Sequence, residues 1–148
     1  MGFRTIGARV ERSEDPRLLT GHGQFIDDIH LPGMLHAAFV RSSFAHARIN
    51  GIDMSAAEHM PGVRAVITAD GLPPSLRDTA FPMLLPNPAL SQVKTQRALA
   101  RDEVSFVGEA VVVIVADSRA LAEDAAALVE VDYDPLPAVT DCKSAFEN

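Results

Sequence analysis

The spacing of apolar and polar positions predicts five β-strands, spread over both halves of the chain. In the first half, residues 35–40, 47–52 and 63–68 have the composition and alternation of strands. In the second half, Ala110–Ala116 is an uninterrupted apolar run, typical of a strand covered on both faces. We therefore expect it at the centre of the sheet. Residues 129–133 alternate apolar and acidic side chains, which predicts a half-buried last strand.

Two helices are predicted between these strands. Residues 55–58 have the spacing of a capping box, in which Ser55 and Glu58 each satisfy a free amide at the helix start. Asp117 or Ser118 is expected to cap the second helix. That helix places three apolar residues on one face: Leu121, Ala125 and Leu128. Each helix lies between two strands, so the sequence predicts an α/β (α+β) fold with a mixed sheet and two βαβ units.

Two segments lie outside this pattern. Residues 1–33 carry weak periodicity and several turn signals, so we expect an extended amino-terminal arm, followed by one domain over residues 34–148. Residues 72–96 contain five prolines, which disfavour regular structure. The apolar stretch 81–85 within them predicts a loop that packs on a partner surface or makes the isolated chain self-associate. The alternative is that the loop folds back on its own core.

Composition narrows the classes of function. The chain has 148 residues, of which 47% are hydrophobic and 22% charged, as in a folded globular domain. A net charge of −7 would repel phosphate backbones, so nucleic acid is not an expected partner. No apolar run reaches the roughly 18 residues of a membrane span. A single cysteine and the lack of a secretory signal predict a cytoplasmic protein.

Candidate catalytic residues do not form a known constellation in the sequence. The histidines lack the spacing of helix-borne zinc sites and a second cysteine, so each is interpreted as a turn or surface imidazole: His22, His30, His36, His46 and His59. Gly21-His22-Gly23 lacks the third glycine of a phosphate-binding loop. Cys142 has only Lys143 as a basic neighbour, which argues against a nucleophile.

The remaining candidates for functional residues are three acidic pairs and one glycine. The carboxylate pairs fit solvated turns or helix faces: Asp27-Asp28, Asp102-Glu103 and Glu123-Asp124. Gly108 predicts a bend or bulge at the entrance to the central strand. The sequence therefore assigns no catalytic, cofactor-binding or metal-binding residue to this chain.

A series of short motifs runs through nearly the whole chain in a fixed order. The amino-terminal ones are Glu14-Asp15-Pro16-Arg17, Leu19-Thr20-Gly21, Asp27-Asp28-Ile29, Leu31-Pro32-Gly33-Met34-Leu35-His36, Val40-Arg41-Ser42 and Ala45-His46-Ala47-Arg48-Ile49. The later ones are Pro61-Gly62-Val63, Val107-Gly108-Glu109-Ala110-Val111, Val131-Asp132-Tyr133 and Leu136-Pro137-Ala138-Val139. Together they resemble the start of molybdenum hydroxylase large subunits, the xanthine dehydrogenase, aldehyde oxidase and carbon monoxide dehydrogenase family. Gly108-Glu109-Ala110 looks most like the carbon monoxide dehydrogenase type, whereas Ser43-Phe44 and Val112 depart from the usual pattern.

The resemblance implies the amino-terminal a/b hammerhead domain of such a subunit, over residues 34–148. In that family molybdopterin and the catalytic glutamate belong to later domains, and iron–sulfur clusters and FAD lie on companion subunits. The chain would then be a non-catalytic scaffold, with the remaining molybdopterin-binding domains and the iron–sulfur and flavin subunits as partners. Two alternatives stay open: a free-standing α/β interaction module, and a small enzyme with a pocket built from the histidines and Cys142.

Overall fold

The computed structural model describes residue 7, residues 12–82 and residues 96–147. Contacts within the chain divide it into two units, Met1–Met34 and Leu35–Asn148. The first unit contains helix α1 (Asp15–Leu19), which begins with a proline in its first turn, and a 3-10 helix at Ile26–Asp28. Neither helix buries a residue. The extended arm over residues 1–33 stays a prediction.

The second unit contains strands and short helices in alternation. Its described strands are β1 (His36–Arg41), β2 (Ala47–Asp53), β3 (Val63–Thr68), β4 (Glu103–Val104), β5 (Ala110–Ala116) and β6 (Glu130–Pro135). Its described α-helices are α2 (Ser55–Glu58), α3 (Pro74–Arg77), α4 (Arg119–Ala127) and α5 (Cys142–Glu147). The five predicted strands are confirmed. Strand β4 escapes prediction because two residues are too few to show alternation.

The strands form two antiparallel sheets rather than one mixed sheet. The first sheet has the order β1-β5-β3 and the second β4-β2-β6, and all described pairs are antiparallel. The α/β class and the central position of β5 are confirmed, but the two βαβ units are wrong. Helix α2 leads from the second sheet to the first, and helix α4 leads back. Alternation shows that a segment is a strand, but it does not show which sheet the strand joins.

One core links the two sheets. Its largest fully buried side chains are Val104, Val111, Val112 and Ile114. Ala47 of β2 and small residues of the helices, such as Ala125 of α4, complete the cluster. Both sheets and both crossover helices therefore contribute to a single hydrophobic core.

Of the two predicted helix starts, one is confirmed and one is wrong. Ser118 caps α4 as predicted, since its hydroxyl accepts a hydrogen bond from the Leu121 amide at 3.2 Å. The capping box at α2 is wrong, because Met54 holds the cap position and Ser55 is already helical. Asp53 instead accepts hydrogen bonds from the amide and hydroxyl of Ser55, at 3.0 and 2.7 Å.

The buried face of α4 is also partly different from the prediction. The fully buried residues are Ala122 and Ala125, whereas Leu128 is 45% exposed. Alanine allows the helix backbone to approach the first sheet closely, so the small residues face the core. Glu123 and Asp124 lie on the exposed face, as predicted.

The proline-rich segment 72–96 is described only in part. Helix α3 (Pro74–Arg77) forms within this segment. Its proline lies in the first helical turn, where proline is tolerated. The Phe81 amide donates to the Gln96 carbonyl at 3.0 Å. Most of the apolar stretch 81–85 lies outside the described residues, and its packing on a partner stays a prediction.

Candidate functional site

The candidate catalytic side chains of the sequence are dispersed over the structure. The His22 ring contacts the Thr20 hydroxyl at 3.1 Å, and the His59 ring contacts the Ser55 carbonyl oxygen at 2.6 Å, one helical turn away. His36 begins β1, and His30 follows the 3-10 helix of the first unit. In the part of the chain that is described, no three His, Cys, Asp or Glu side chains come together as a metal site.

The cysteine and the acidic pairs have local explanations. Cys142 is a free, exposed thiol at the start of α5. Asp28 accepts a hydrogen bond from the Phe25 amide at 2.9 Å, and Glu123-Asp124 is exposed on α4. Glu103 is different, because it takes part in a long-range contact. The prediction that this chain supplies no catalytic, cofactor or metal residue stays a prediction.

His46 joins three parts of the second unit. It lies just before β2, and its Nε2 is 2.6 Å from Oε1 of Glu103 on β4. Its Nδ1 is 2.6 Å from the Pro137 carbonyl oxygen, which follows β6. The His46 carbonyl in turn accepts a hydrogen bond from the Leu136 amide at 3.0 Å. The interpretation of His46 as a plain surface imidazole therefore missed a contact between distant segments.

The charge state of the His46 ring follows from its partners. Both partners are oxygen acceptors, and only the doubly protonated ring can donate to both. The hydrogen bond to the Pro137 carbonyl raises the pKa of His46 above its usual 6.5, and the hydrogen bond to Glu103 raises it further. In the sequence, Glu103 was noticed only as part of the acidic pair Asp102-Glu103. Nothing in that pair indicated that His46 is its partner.

The turn before β5 lies at the same end of the unit. The Gly108 amide donates to the Ser42 carbonyl at 2.8 Å, and the Ser42 amide donates to the Glu109 carbonyl at 2.9 Å. Arg41 donates to the Gly108 carbonyl at 2.8 Å. Gly108 has φ +91°, and its Cβ position is open space, so the backbone conformation rather than crowding requires glycine. The bend predicted at Gly108 is confirmed.

A surface cleft of about 450 Å³ lies between this turn and the chain after β6. It is lined mainly by apolar and small residues: Ala45, His46, Ser105, Phe106, Val107, Pro137, Ala138, Val139 and Thr140. Val107 is 63% exposed and Val139 62% exposed. The cleft therefore presents apolar side chains to solvent beside the His46 contact.

The first sheet presents a second apolar surface, on the face of β5 opposite the core. Val112, Ile114 and Ala116 are fully buried on the inner face, where the core cluster lies. On the other side, Val113 lies between Phe39 of β1 and Ile67 of β3. We call this side, with Ala37, Phe39, Ala65, Ile67, Val113 and Val115, the outer face.

The outer face is only partly covered. Val113, Val115 and Ile67 are half-buried, and Phe39 is 46% exposed. None of them belongs to the core cluster of the described residues. No residue of β5 itself is exposed, and full cover of its outer face stays a prediction. An apolar strand with one incompletely covered face is typical of a surface that meets other protein.

Several of the motifs that carried the resemblance come together in this unit. Ser42, His46, Gly108 and Pro137 belong to four separate motifs of the sequence, and they are joined by the hydrogen bonds described above. Nearby, the Phe44 and Tyr133 rings lie 5.1 Å apart between centroids. The contact of Ser42 with Gly108 belongs to the first sheet and that of His46 with Pro137 to the second, so these motifs fix strand ends within each sheet.

The fold and these surfaces define the class as an α/β domain with exposed apolar surfaces. Residues 20–137 match the model of the family described as aldehyde oxidase and xanthine dehydrogenase, a/b hammerhead domain. The chain belongs to this family, and it is a hammerhead domain of the molybdenum hydroxylase large-chain type. The family and fold expected from the resemblance are confirmed.

Similar proteins are large subunits of oxidoreductases. The chain is 44% identical over 142 residues to the nicotine 6-hydroxylase large subunit of Paenarthrobacter nicotinovorans, covering 96% of this chain and 17% of that subunit. It is 45% identical over 142 residues to the carbon monoxide dehydrogenase large chain of Afipia carboxidovorans, with the same shares. The chain thus spans about a sixth of the length of these relatives.

A solved structure agrees with this assignment. A Cu,Mo-containing carbon monoxide dehydrogenase superposes with a TM-score of 0.80 at 45% identity, over 94% of this chain and 16% of that one. That structure is of a molybdenum enzyme, and the two relatives are named as the large subunit and the large chain of their enzymes. In the described part of the present chain, no helix is both long and apolar enough to cross a membrane.

The described residues of this chain do not fit a molybdenum cofactor. They offer no group of metal-ligating side chains, and the first turn of α4, the longest described helix, is already capped by Ser118. We assign no chemical step to these residues.

Proposed function

We propose that the chain is a non-catalytic scaffold domain of the large subunit of a molybdopterin-dependent oxidoreductase. The observation that carries this proposal is its 44–45% identity to large subunits of which it spans only 17%. The parent enzyme would hydroxylate a carbon centre or oxidise carbon monoxide at molybdenum, with water as the oxygen source. Molybdopterin would belong to other domains of that subunit.

The outer face supplies a surface for this role. An apolar face bearing a 46% exposed Phe39 is costly to leave in water, because each buried Å² of apolar surface contributes about 25 cal/mol. Most of the large subunit would lie outside this chain, since the match covers 17% of the relatives' length. The remaining domains of the large subunit are therefore the occupant that we propose for the outer face.

The names of the relatives support a wider assembly. They include a large subunit, a large chain and subunit gamma of a dehydrogenase complex. By analogy, iron–sulfur clusters and FAD would be carried by companion subunits and would accept the electrons released at molybdenum. We also propose that the assembly works in the cytoplasm, as expected from the single cysteine.

A free-standing interaction module is the second candidate. It is favoured by the complete core, in which Val104, Val111 and Ile114 from both sheets are fully buried. Such a unit has the packing of a domain that folds without further protein. It would use the outer face or the cleft to bind a separate partner.

The intact mass and the molybdenum content of the native protein distinguish the two candidates. The protein would be captured from its source cells with an antibody raised against this chain, and both quantities measured on the same sample. A chain much larger than 15.9 kDa in a complex that contains molybdenum is the expected result. A metal-free chain of 15.9 kDa would overturn the scaffold proposal and favour the module.

A further inference from the structure

The segment of residues 136–140, between β6 and α5, depends on His46 for its position. The Leu136 amide and the Pro137 carbonyl both bond to His46, at 3.0 and 2.6 Å. Within the described chain these are the hydrogen bonds that tie the segment to the rest of the unit. Leu136 is half-buried, whereas residues 137–140 are exposed. Apolar burial therefore contributes little to holding the far end of the segment.

The contact at Pro137 depends on the charge of the ring. In the imidazolium form Nδ1 donates to the Pro137 carbonyl while Nε2 donates to Glu103, each at 2.6 Å. A neutral ring has a single N–H and can donate to only one of them. Hydrogen bonds to an ionised carboxylate are the stronger kind, so the remaining proton stays on Nε2. The Pro137 carbonyl then faces a lone pair and loses its donor.

We propose that His46 is a pH-sensitive switch that holds segment 136–140 when its ring is protonated and releases it when the ring is neutral. Segment 136–140 forms one wall of the cleft that also contains Phe106 and Val107. Its release changes the apolar surface that this end of the domain offers to a partner. The proposal rests on contacts within this chain and does not depend on the identity of the parent enzyme.

The other charged groups around the ring are engaged elsewhere. Arg48 on β2 pairs with Asp134 on β6 at 3.7 Å. The Glu109 carboxylate accepts a hydrogen bond from the Ser105 amide at 2.6 Å. Segment 136–140 has no titratable side chain. Glu103 on β4 is thus the charged group that faces the ring.

The direction of the pH effect follows from the sign of the shift. The pKa of His46 is raised in the folded chain, so the protonated contact is fully present below its usual 6.5. It is lost as the pH rises through the higher folded pKa. The segment is therefore held below the folded pKa of His46 and released above it.

Nuclear magnetic resonance of the 148-residue chain tests the switch. We expect the His46 ring to titrate above 6.5 and the amides of Ala138, Val139 and Thr140 to shift with the same midpoint. Above that midpoint, hydrogen exchange of the Leu136 amide, which donates to the His46 carbonyl, rises roughly fivefold to tenfold after correction for base catalysis. Amides of the segment that do not follow the His46 midpoint would overturn the proposal.

Three variants make the test specific. Glu103→Gln lowers the midpoint for the ring and for the segment together, because it removes the facing charge. His46→Gln abolishes the pH dependence of the segment. His59→Gln is the matched control, since His59 bonds only within its own helical turn, and it leaves the segment's titration unchanged. If His46→Gln does not fold, the Glu103→Gln result decides: an unmoved segment midpoint refutes the switch.

Discussion

Truncation of Ile114 tests whether the core of the first sheet lies on one face only. Ile114 is fully buried between Ala38 of β1 and Val66 of β3. Ile114→Ala removes about three methylene-sized groups at about 0.8 kcal/mol each, or about 2.4 kcal/mol of transfer free energy. The cavity left in a packed core adds to this, so we expect a loss of about 3–4 kcal/mol in the free energy of unfolding.

Val113→Ala is the matched control on the same strand. Val113 is the next residue and points to the outer face, where it is half-buried. The change lowers β-propensity as Ile114→Ala does, but it removes about two groups that already meet solvent. We expect a loss of about 1 kcal/mol or less.

Urea unfolding of both variants, followed by circular dichroism, gives the comparison. The midpoint should fall far more for Ile114→Ala than for Val113→Ala, with the denaturant slope unchanged in both. Equal losses would refute the reasoning. They would mean that both faces of β5 are buried within this chain, and that the outer face is not available to other domains.

Three further changes test other parts of the account. Ser118→Ala removes the cap of α4 and should cost about 1 kcal/mol in urea unfolding; an unchanged midpoint would contradict the cap. Gly108→Ala should cost about 1–2 kcal/mol because φ is +91°, whereas Gly51→Ala, with free space and no positive φ, should not destabilise; equal effects would contradict this. Phe39→Ser should reduce self-association of the chain in sedimentation velocity, whereas Leu128→Ser, at nearly the same exposure, should not; equal reductions would argue against the outer face.

The strands were predictable because they depend on local pattern. The apolar run of β5 and the alternation of β6 indicate strands wherever the strands pair. The assignment of strands to two sheets was not predictable in the same way. It depends on where α2 and α4 carry the chain, and a helix of four residues such as α2 leaves that direction open.

In the candidate site, too, local features could be predicted from the sequence and long-range contacts could not. Gly108 was identified because a glycine beside an apolar strand has a local reason to be there. His46 was not, because its partners Glu103 and Pro137 are 57 and 91 residues away in the chain. What covers the outer face of β5 was not predictable either, since an apolar run in a sequence does not tell whether the second cover lies in the same chain or in another domain.

Side-chain footprinting measures whether other domains cover the outer face in the native protein. Hydroxyl-radical labelling of Phe39 would be compared between the 148-residue chain and the native protein, with Leu128 at the carboxyl end of α4 as the reference. We expect Phe39 to be labelled in the isolated chain and protected in the native protein, and Leu128 to be labelled similarly in both. Equal labelling of Phe39 in the two samples would contradict the claim that the rest of a large subunit covers this face.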